Sequence, residues 1–208
     1  TASWLKIGSN GLRECIEKVV EMSAWKERRG KLGRGRGLGL ACSTYMCGAG
    51  VAIYWNKMPH SGVQILLDRS GSVIVYCGAT EIGQGSDDVL AGLVAEALGV
   101  EIGNVRVVTG DTGITPVDLG SYSSRVTIMA GNAALQAAGR LRATIAGVVS
   151  ENLNTVPERV AFSQGRVFAA DQSGPGMTFV EAVQAAEGKL GTLSAVGSYS
   201  PPKAPGKY

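Results

Sequence analysis

Histidine and cysteine are scarce, with one and four in 208 residues. Aromatic residues make up 6% and prolines number seven. A single histidine, His60, together with no Gly-x-Ser-x-Gly and no Gly-Lys-Ser/Thr, leaves no nucleophile and base for hydrolysis and no P-loop. The few prolines and the lack of a Gly-X-Y period exclude collagen. Uncharged apolar runs such as Ala143 to Val149 are far short of the roughly 18 residues that a membrane span needs. No basic segment followed by an apolar core and a cleavage site opens the sequence, so a cytoplasmic location is expected. Aromatics do not interleave with the basic residues, which argues against a base-stacking nucleic-acid surface.

What is present is an ordinary globular composition, 45% hydrophobic and 18% charged, with a net charge of +3 and 30 glycines. The charge is uneven. Residues 1–40 hold nine Lys/Arg and four Asp/Glu, the remainder eleven and thirteen. Lys26, Arg28, Arg29 and Lys31 lie where a helix is expected to end, and cations stabilise that end without any polyanion. Cys15, Cys42, Cys47 and Cys77 have apolar neighbours and are expected to be reduced, buried thiols. Cys42 and Cys47 have neither a second cysteine pair nor enough histidine for zinc, so no metal ligand is assigned.

Asn10 caps an expected amphipathic helix over 11–28, with Leu12, Cys15, Ile16, Val19 and Met22 at helical spacing and Gly30 as its stop. Residues 33–39 carry a Gly-Arg repeat that follows a helix instead of a strand, against a Rossmann fingerprint. Residues 38–54 read as a buried strand broken by a bulge at Gly48 and Gly50. Val63, Ile65 and Leu67, the turn Asp68-Arg-Ser-Gly71, and Val73 to Cys77 form a hairpin. A helix begins at Ser86 and stops at Gly99, and Val105 to Val108 is a strand. Residues 109–119 are a loop before a long helix whose alanines predict close packing. A strand pair around Gln164-Gly165, a helix from Thr178 to Glu187 and a strand from Leu190 to Tyr199 complete an α+β fold with mixed or antiparallel sheets. The expected division is 1–37 helix and linker, 38–155 cofactor-binding core, 156–199 a second small α+β portion, and 200–208 a linker.

Two loops that feed helix starts carry ligand chemistry. In the first, Gly83 and Gly85 flank Gln84, whose carboxamide both donates and accepts. In the second, Ser121, Tyr122, Ser123, Ser124 and Arg125 combine hydroxyls, free N–H groups and a guanidinium, a set suited to phosphate. Each also reads as a tight turn or a helix cap. Together they point to a phosphate-bearing cofactor. Asp87 and Asp88 face different directions and read as first-turn acids, so no residue is assigned as catalytic.

The string Gly78-Ala-Thr-Glu-Ile-Gly-Gln-Gly-Ser86, then Val108-Thr-Gly-Asp-Thr112, Thr115-Pro116 and Gly120-Ser-Tyr-Ser-Ser-Arg-Val-Thr127, resembles the molybdenum-cofactor-binding large subunit of the xanthine dehydrogenase family. Asn10 to Lys18 and Lys31 to Ala41 extend the likeness toward 4-hydroxybenzoyl-CoA reductase alpha subunits. The resemblance implies that Gly83, Gln84, Gly85 and Ser121 to Arg125 contact a molybdenum–molybdopterin cofactor, expected in its cytosine dinucleotide form. It implies iron–sulfur and FAD partner subunits or domains, and reductive dehydroxylation of an aryl-CoA in aromatic degradation. An aldehyde or N-heterocycle hydroxylase is the alternative within the class, and a non-enzymatic phosphate-ligand or assembly module the alternative outside it. Family loops of the Phe-Gly-Gly-Lys, Arg-Gly-x-Gly and Gly-x-Gly-Glu kinds have no counterpart here. The chain is therefore expected to be a middle fragment, inactive alone, with the family's catalytic Glu outside it and not replaced by Glu81.

Overall fold

The computed structural model describes residues 9–43, 45 and 60–201. The chain forms two compact units, Thr1–Thr44 and Tyr45–Tyr208.

In the first unit, α1 spans Leu12–Met22 and α2 spans Trp25–Arg28. One helix over 11–28 was expected. It breaks because Ala24 takes a left-handed φ of 51°, which interrupts the hydrogen-bond ladder. Asn10 does serve the start, its Oδ1 accepting from the Leu12 N–H at 3.0 Å. No α1 residue is buried. Residues 38–43 form no strand and are mostly exposed, because an apolar run becomes a strand only beside a partner edge. The rest of that expected strand, 46–54, and Cys47 lie outside the described residues. Cys15 and Cys42 are exposed and only Cys77 of the described cysteines is buried, a correction to the expectation of buried thiols.

The second unit begins with the expected hairpin, β1 (Ser61–Leu67) and β2 (Val73–Cys77), antiparallel with Leu67 opposite Val73. Asp68 Oδ1 accepts from the Ser70 N–H at 2.7 Å and closes the turn. Period-two alternation sends Val63, Ile65, Val73, Val75 and Cys77 into the core. The chain then crosses over through α3 (Ser86–Leu98) to β3 (Val105–Thr109), parallel to β2. Later, β7 (Ser194–Tyr199) pairs antiparallel with β1, giving a mixed sheet ordered β3-β2-β1-β7. The fold is α+β.

Helix α4 (Val126–Val149) buries an alanine-rich stripe, Ala130, Ala133, Ala134, Ala137 and Ala138, in this core. The small residues let β7 approach so closely that a Cβ at Gly197 would collide with the Ala133 carbonyl oxygen and the Ala137 nitrogen. A second, antiparallel sheet follows, β4 (Val160–Ser163), β5 (Arg166–Ala169) and β6 (Met177–Thr178). Gln164 and Gly165, with φ of 50° and 72°, form its two-residue hairpin turn. Helix α5 (Phe179–Leu190) opens with a capping box between Thr178 and Glu181. No helix among the described residues is long and apolar enough to cross a membrane.

Candidate cofactor site

The turn at residues 80–86 sits between β2 and α3, and the loop at 110–125 between β3 and α4. In the turn, Gly83 and Gly85 adopt φ of 96° and 78°, a region L side chains avoid. Those angles aim backbone N–H groups at one carboxylate. Glu81 Oε1 accepts from Gly83 at 2.6 Å and Gly85 at 3.1 Å, and Oε2 accepts from the Asp87 N–H at 3.2 Å and the Ser86 hydroxyl at 3.3 Å. These donors, the Asp87 N–H foremost, hold the Glu81 carboxyl down to about 2. So low a value makes Glu81 a poor base.

Gln84 closes the same turn. Its Oε1 accepts from the Ile82 N–H at 2.6 Å, and its Nε2 donates to the Thr80 carbonyl at 3.2 Å and the Ser86 hydroxyl at 2.9 Å. Ser121 clasps the two loops together, donating to the Thr80 carbonyl at 2.6 Å and accepting from the Thr80 N–H at 3.1 Å. The sequence cast both side chains as ligand groups, and here both are engaged within the protein.

Arg125 departs further from that reading. Its side chain and that of Asp118 are both 0% exposed, with Nη1 2.6 Å from Asp118 Oδ1. Nη1 also donates to the Gly120 carbonyl at 2.8 Å and Nη2 to the Ser61 hydroxyl at 3.0 Å, and Ser61 in turn donates to Asp118. The expected guanidinium fork toward phosphate is thus corrected: the terminal nitrogens brace the loop against β1. Only Nε is left, buried and without a hydrogen-bond partner among the described residues. Tyr122 lies against the guanidinium, 5.5 Å from ring centre to Cζ.

Near the turn, Asp87 Oδ1 is also buried and has no hydrogen-bond partner among the described residues, while Thr109 donates to Oδ2 at 3.2 Å. Burial pushes its carboxyl above the usual range, opposed by the Thr109 bond and aided by Glu81 and Asp88. Burial likewise pushes the Cys77 thiol up to about 11, which keeps it protonated and inert at neutral pH.

The two loops meet at one open cavity of about 300 Å³. Its walls include Gln84, Ser86, Ser121, Tyr122, Ser124 and Arg125, with Tyr45, Ile82, Val89, Val126 and Thr127. Five of the eight sequence-predicted residues therefore come together there. Gly83 and Gly85 do not line it and instead shape the turn, and Ser123 is buried at φ 50°. Sequence reasoning missed Glu81, Thr80, Asp118 and Ser61. An acid two residues before a turn glycine was the one local signal, for Glu81.

Residues 16–208 match the family model described as a molybdopterin cofactor-binding domain. The chain belongs to that family. It is 34% identical over 176 residues to the putative xanthine dehydrogenase molybdenum-binding subunit XdhA of Escherichia coli K12, covering 80% of this chain and 22% of the relative. It is 33% identical over 162 residues to the 6-hydroxypseudooxynicotine dehydrogenase complex subunit gamma of Paenarthrobacter nicotinovorans, covering 76% and 20%. Quinoline 2-oxidoreductase from Pseudomonas putida 86 superposes with a TM-score of 0.63 at 27% identity, over 68% of this chain and 19% of that one. This molybdopterin cofactor-binding domain is thus homologous to molybdenum-dependent oxidoreductase subunits of the xanthine dehydrogenase family, and spans about a fifth of their length.

The residues present fit a molybdopterin cofactor. Helix α4 starts at the cavity with no side-chain cap, Val126 and Thr127 of its first turn line the wall, and the orphaned Arg125 Nε belongs to a lining residue. The start of α3 is different, since Glu81 already accepts from the Asp87 N–H of its first turn and from the Gly85 N–H before it.

Proposed function

We propose that the cavity between the 80–86 turn and the 110–125 loop holds the molybdopterin cofactor of a larger oxidoreductase subunit. The observation that carries this is the convergence of Gln84, Ser121, Tyr122, Ser124 and Arg125 on one wall, beside an uncapped helix start and a buried, unpartnered donor. When bound, the molybdenum centre supplies the two-electron redox chemistry. This chain's residues bind and orient. Ser124 and the first turn of α4 offer donors to phosphate oxygens, in a dinucleotide form of the cofactor, and Gln84 offers its carboxamide to the pterin end. Gly83, Gly85 and Ser123 set the backbone that presents them. Arg125 acts from within the wall, its terminal nitrogens fixing the loop.

For the complete enzyme, we take reductive removal of the ring hydroxyl of a 4-hydroxybenzoyl-CoA-like substrate as the reading supported by the Asn10–Lys18 and Lys31–Ala41 likeness. Hydroxylation of an N-heterocycle is the second reading, favoured by relatives named for xanthine and quinoline. Electrons pass through iron–sulfur and flavin partners in this proposal, toward the site for the reductive reaction and away from it for hydroxylation, consistent with a relative named as one subunit of a complex. Molybdopterin content of the purified complete subunit tests the site. Gln84→Ala and Ser124→Ala should each lower it while the melting temperature holds, and full loading in both would overturn the assignment.

A further inference from the structure

Gln84 and Glu81 brace one turn in ways that are not interchangeable. Gln84 closes the turn through the Ile82 N–H, the Thr80 carbonyl and the Ser86 hydroxyl, and it also lines the cavity. A carboxamide so engaged has one Oε1 lone pair left. To meet a cofactor with its full complement of bonds it has to give up those within the turn. Glu81 takes three donors that Gln84 does not touch, the N–H groups of Gly83, Gly85 and Asp87, and shares with Gln84 only the Ser86 hydroxyl, which donates to Glu81 and accepts from Gln84. Those donors span both glycines and the first turn of α3, and the side chain that gathers them is absent from the cavity wall.

We propose that Glu81 is a positioning residue that holds the 80–86 turn in register with α3, so that Gln84 exchanges its bonds within the turn for bonds to the cofactor without the turn collapsing. The proposal rests on the cofactor reading above and adds a division of labour to it. Gln84 touches the ligand, and Glu81 acts through the backbone alone. Both braces hold the turn in the empty site, and in the filled one Glu81 is the brace that remains.

The test uses the complete subunit with Glu81→Ala, Glu81→Gln and, as a control for the loss of a first-turn charge, Asp88→Ala, which alters an exposed acid. Two quantities are read, amide exchange over residues 82–88 and molybdopterin content. With up to four hydrogen bonds removed, Glu81→Ala should speed exchange in that segment by about tenfold or more and leave residues 126–149 unchanged. Cofactor content should fall several-fold. Glu81→Gln keeps one accepting oxygen but turns an amide NH₂ toward donors, so it should be intermediate in both, and it serves alone if the alanine variant does not fold. Asp88→Ala should change neither. Unchanged exchange, normal cofactor content in the Glu81 variants, or an equal loss in Asp88→Ala overturns the proposal. If Gln84→Ala loses cofactor while the Glu81 variants do not, only this inference fails. If Gln84→Ala is fully loaded as well, the cofactor reading beneath it fails.

Discussion

Helix α3 begins beside Glu81, which accepts from the Asp87 N–H of its first turn and the Gly85 N–H before it, whereas α4 begins at the same cavity with no carboxylate on its first N–H groups among the described residues. Both follow loops of small and polar residues that look alike in sequence. The first loop is tied by a partly exposed carboxylate to its own backbone. The second is tied by a buried ion pair to a distant strand, through Arg125, Asp118 and Ser61. The contrast teaches that a helix start binds a ligand anion only where the chain has not supplied one itself. By that criterion we place the proposed phosphate contacts at α4, with the turn before α3 contributing Gln84 and shape.

The largest effect comes from breaking the second tie. Asp118→Ala leaves the Arg125 guanidinium buried and unpaired, which should cost about 3–5 kcal/mol in urea unfolding. Replacing both partners, as Asp118→Leu with Arg125→Met, should cost less than the single change, because no orphan charge remains. A loss under about 1 kcal/mol for Asp118→Ala would show that the ion pair does not brace the loop. Next is the backbone of the first loop. A Cβ at Gly85 meets open space, so Gly85→Val tests strain at φ 78° alone, and should cost about 1–2 kcal/mol.

The protonation of Glu81 gives a smaller and more specific test. Its folded pKa lies below the ordinary 4.5, so its contribution to stability is complete above pH 4.5 and disappears as pH falls through about 2. The Glu81 carboxyl carbon followed by NMR should titrate near that lower value. A midpoint near 4.5 would mean that the four donors do not gather on it. The smallest stability effect is expected from Ser124→Ala, an exposed residue, within about 0.5 kcal/mol of wild type. Its cofactor content should nevertheless fall, which separates a ligand contact from a structural one.

The parts of the fold legible in the sequence are those set by neighbours in the chain. Alternation through Val63–Leu67 and Val73–Cys77 around Asp68–Gly71 specified the hairpin, and the alanine stripe of α4 pointed to a close neighbour. That the neighbour is β7, paired with β1 across more than a hundred residues, was not readable, because strand pairing at long range leaves no local mark. The break at Ala24 was missed since alanine is the strongest helix former and gives no stop signal. At the site, glycines and hydroxyls singled out two loops, and both line one cavity. What each polar group bonds to was hidden, since Asp118 and Ser61 reach Arg125 only once β1 and the loop are assembled.

A crystal structure of the complete, cofactor-loaded subunit tests the central claim most directly. The account predicts molybdopterin density in the cavity between residues 84–86 and 121–127, with phosphate oxygens at the start of α4, Gln84 turned from the Thr80 carbonyl toward the ligand, and Glu81 still bonded to Gly83 and Gly85. Cofactor seated elsewhere, with Gln84 and the Ser124 hydroxyl facing only solvent, would contradict it.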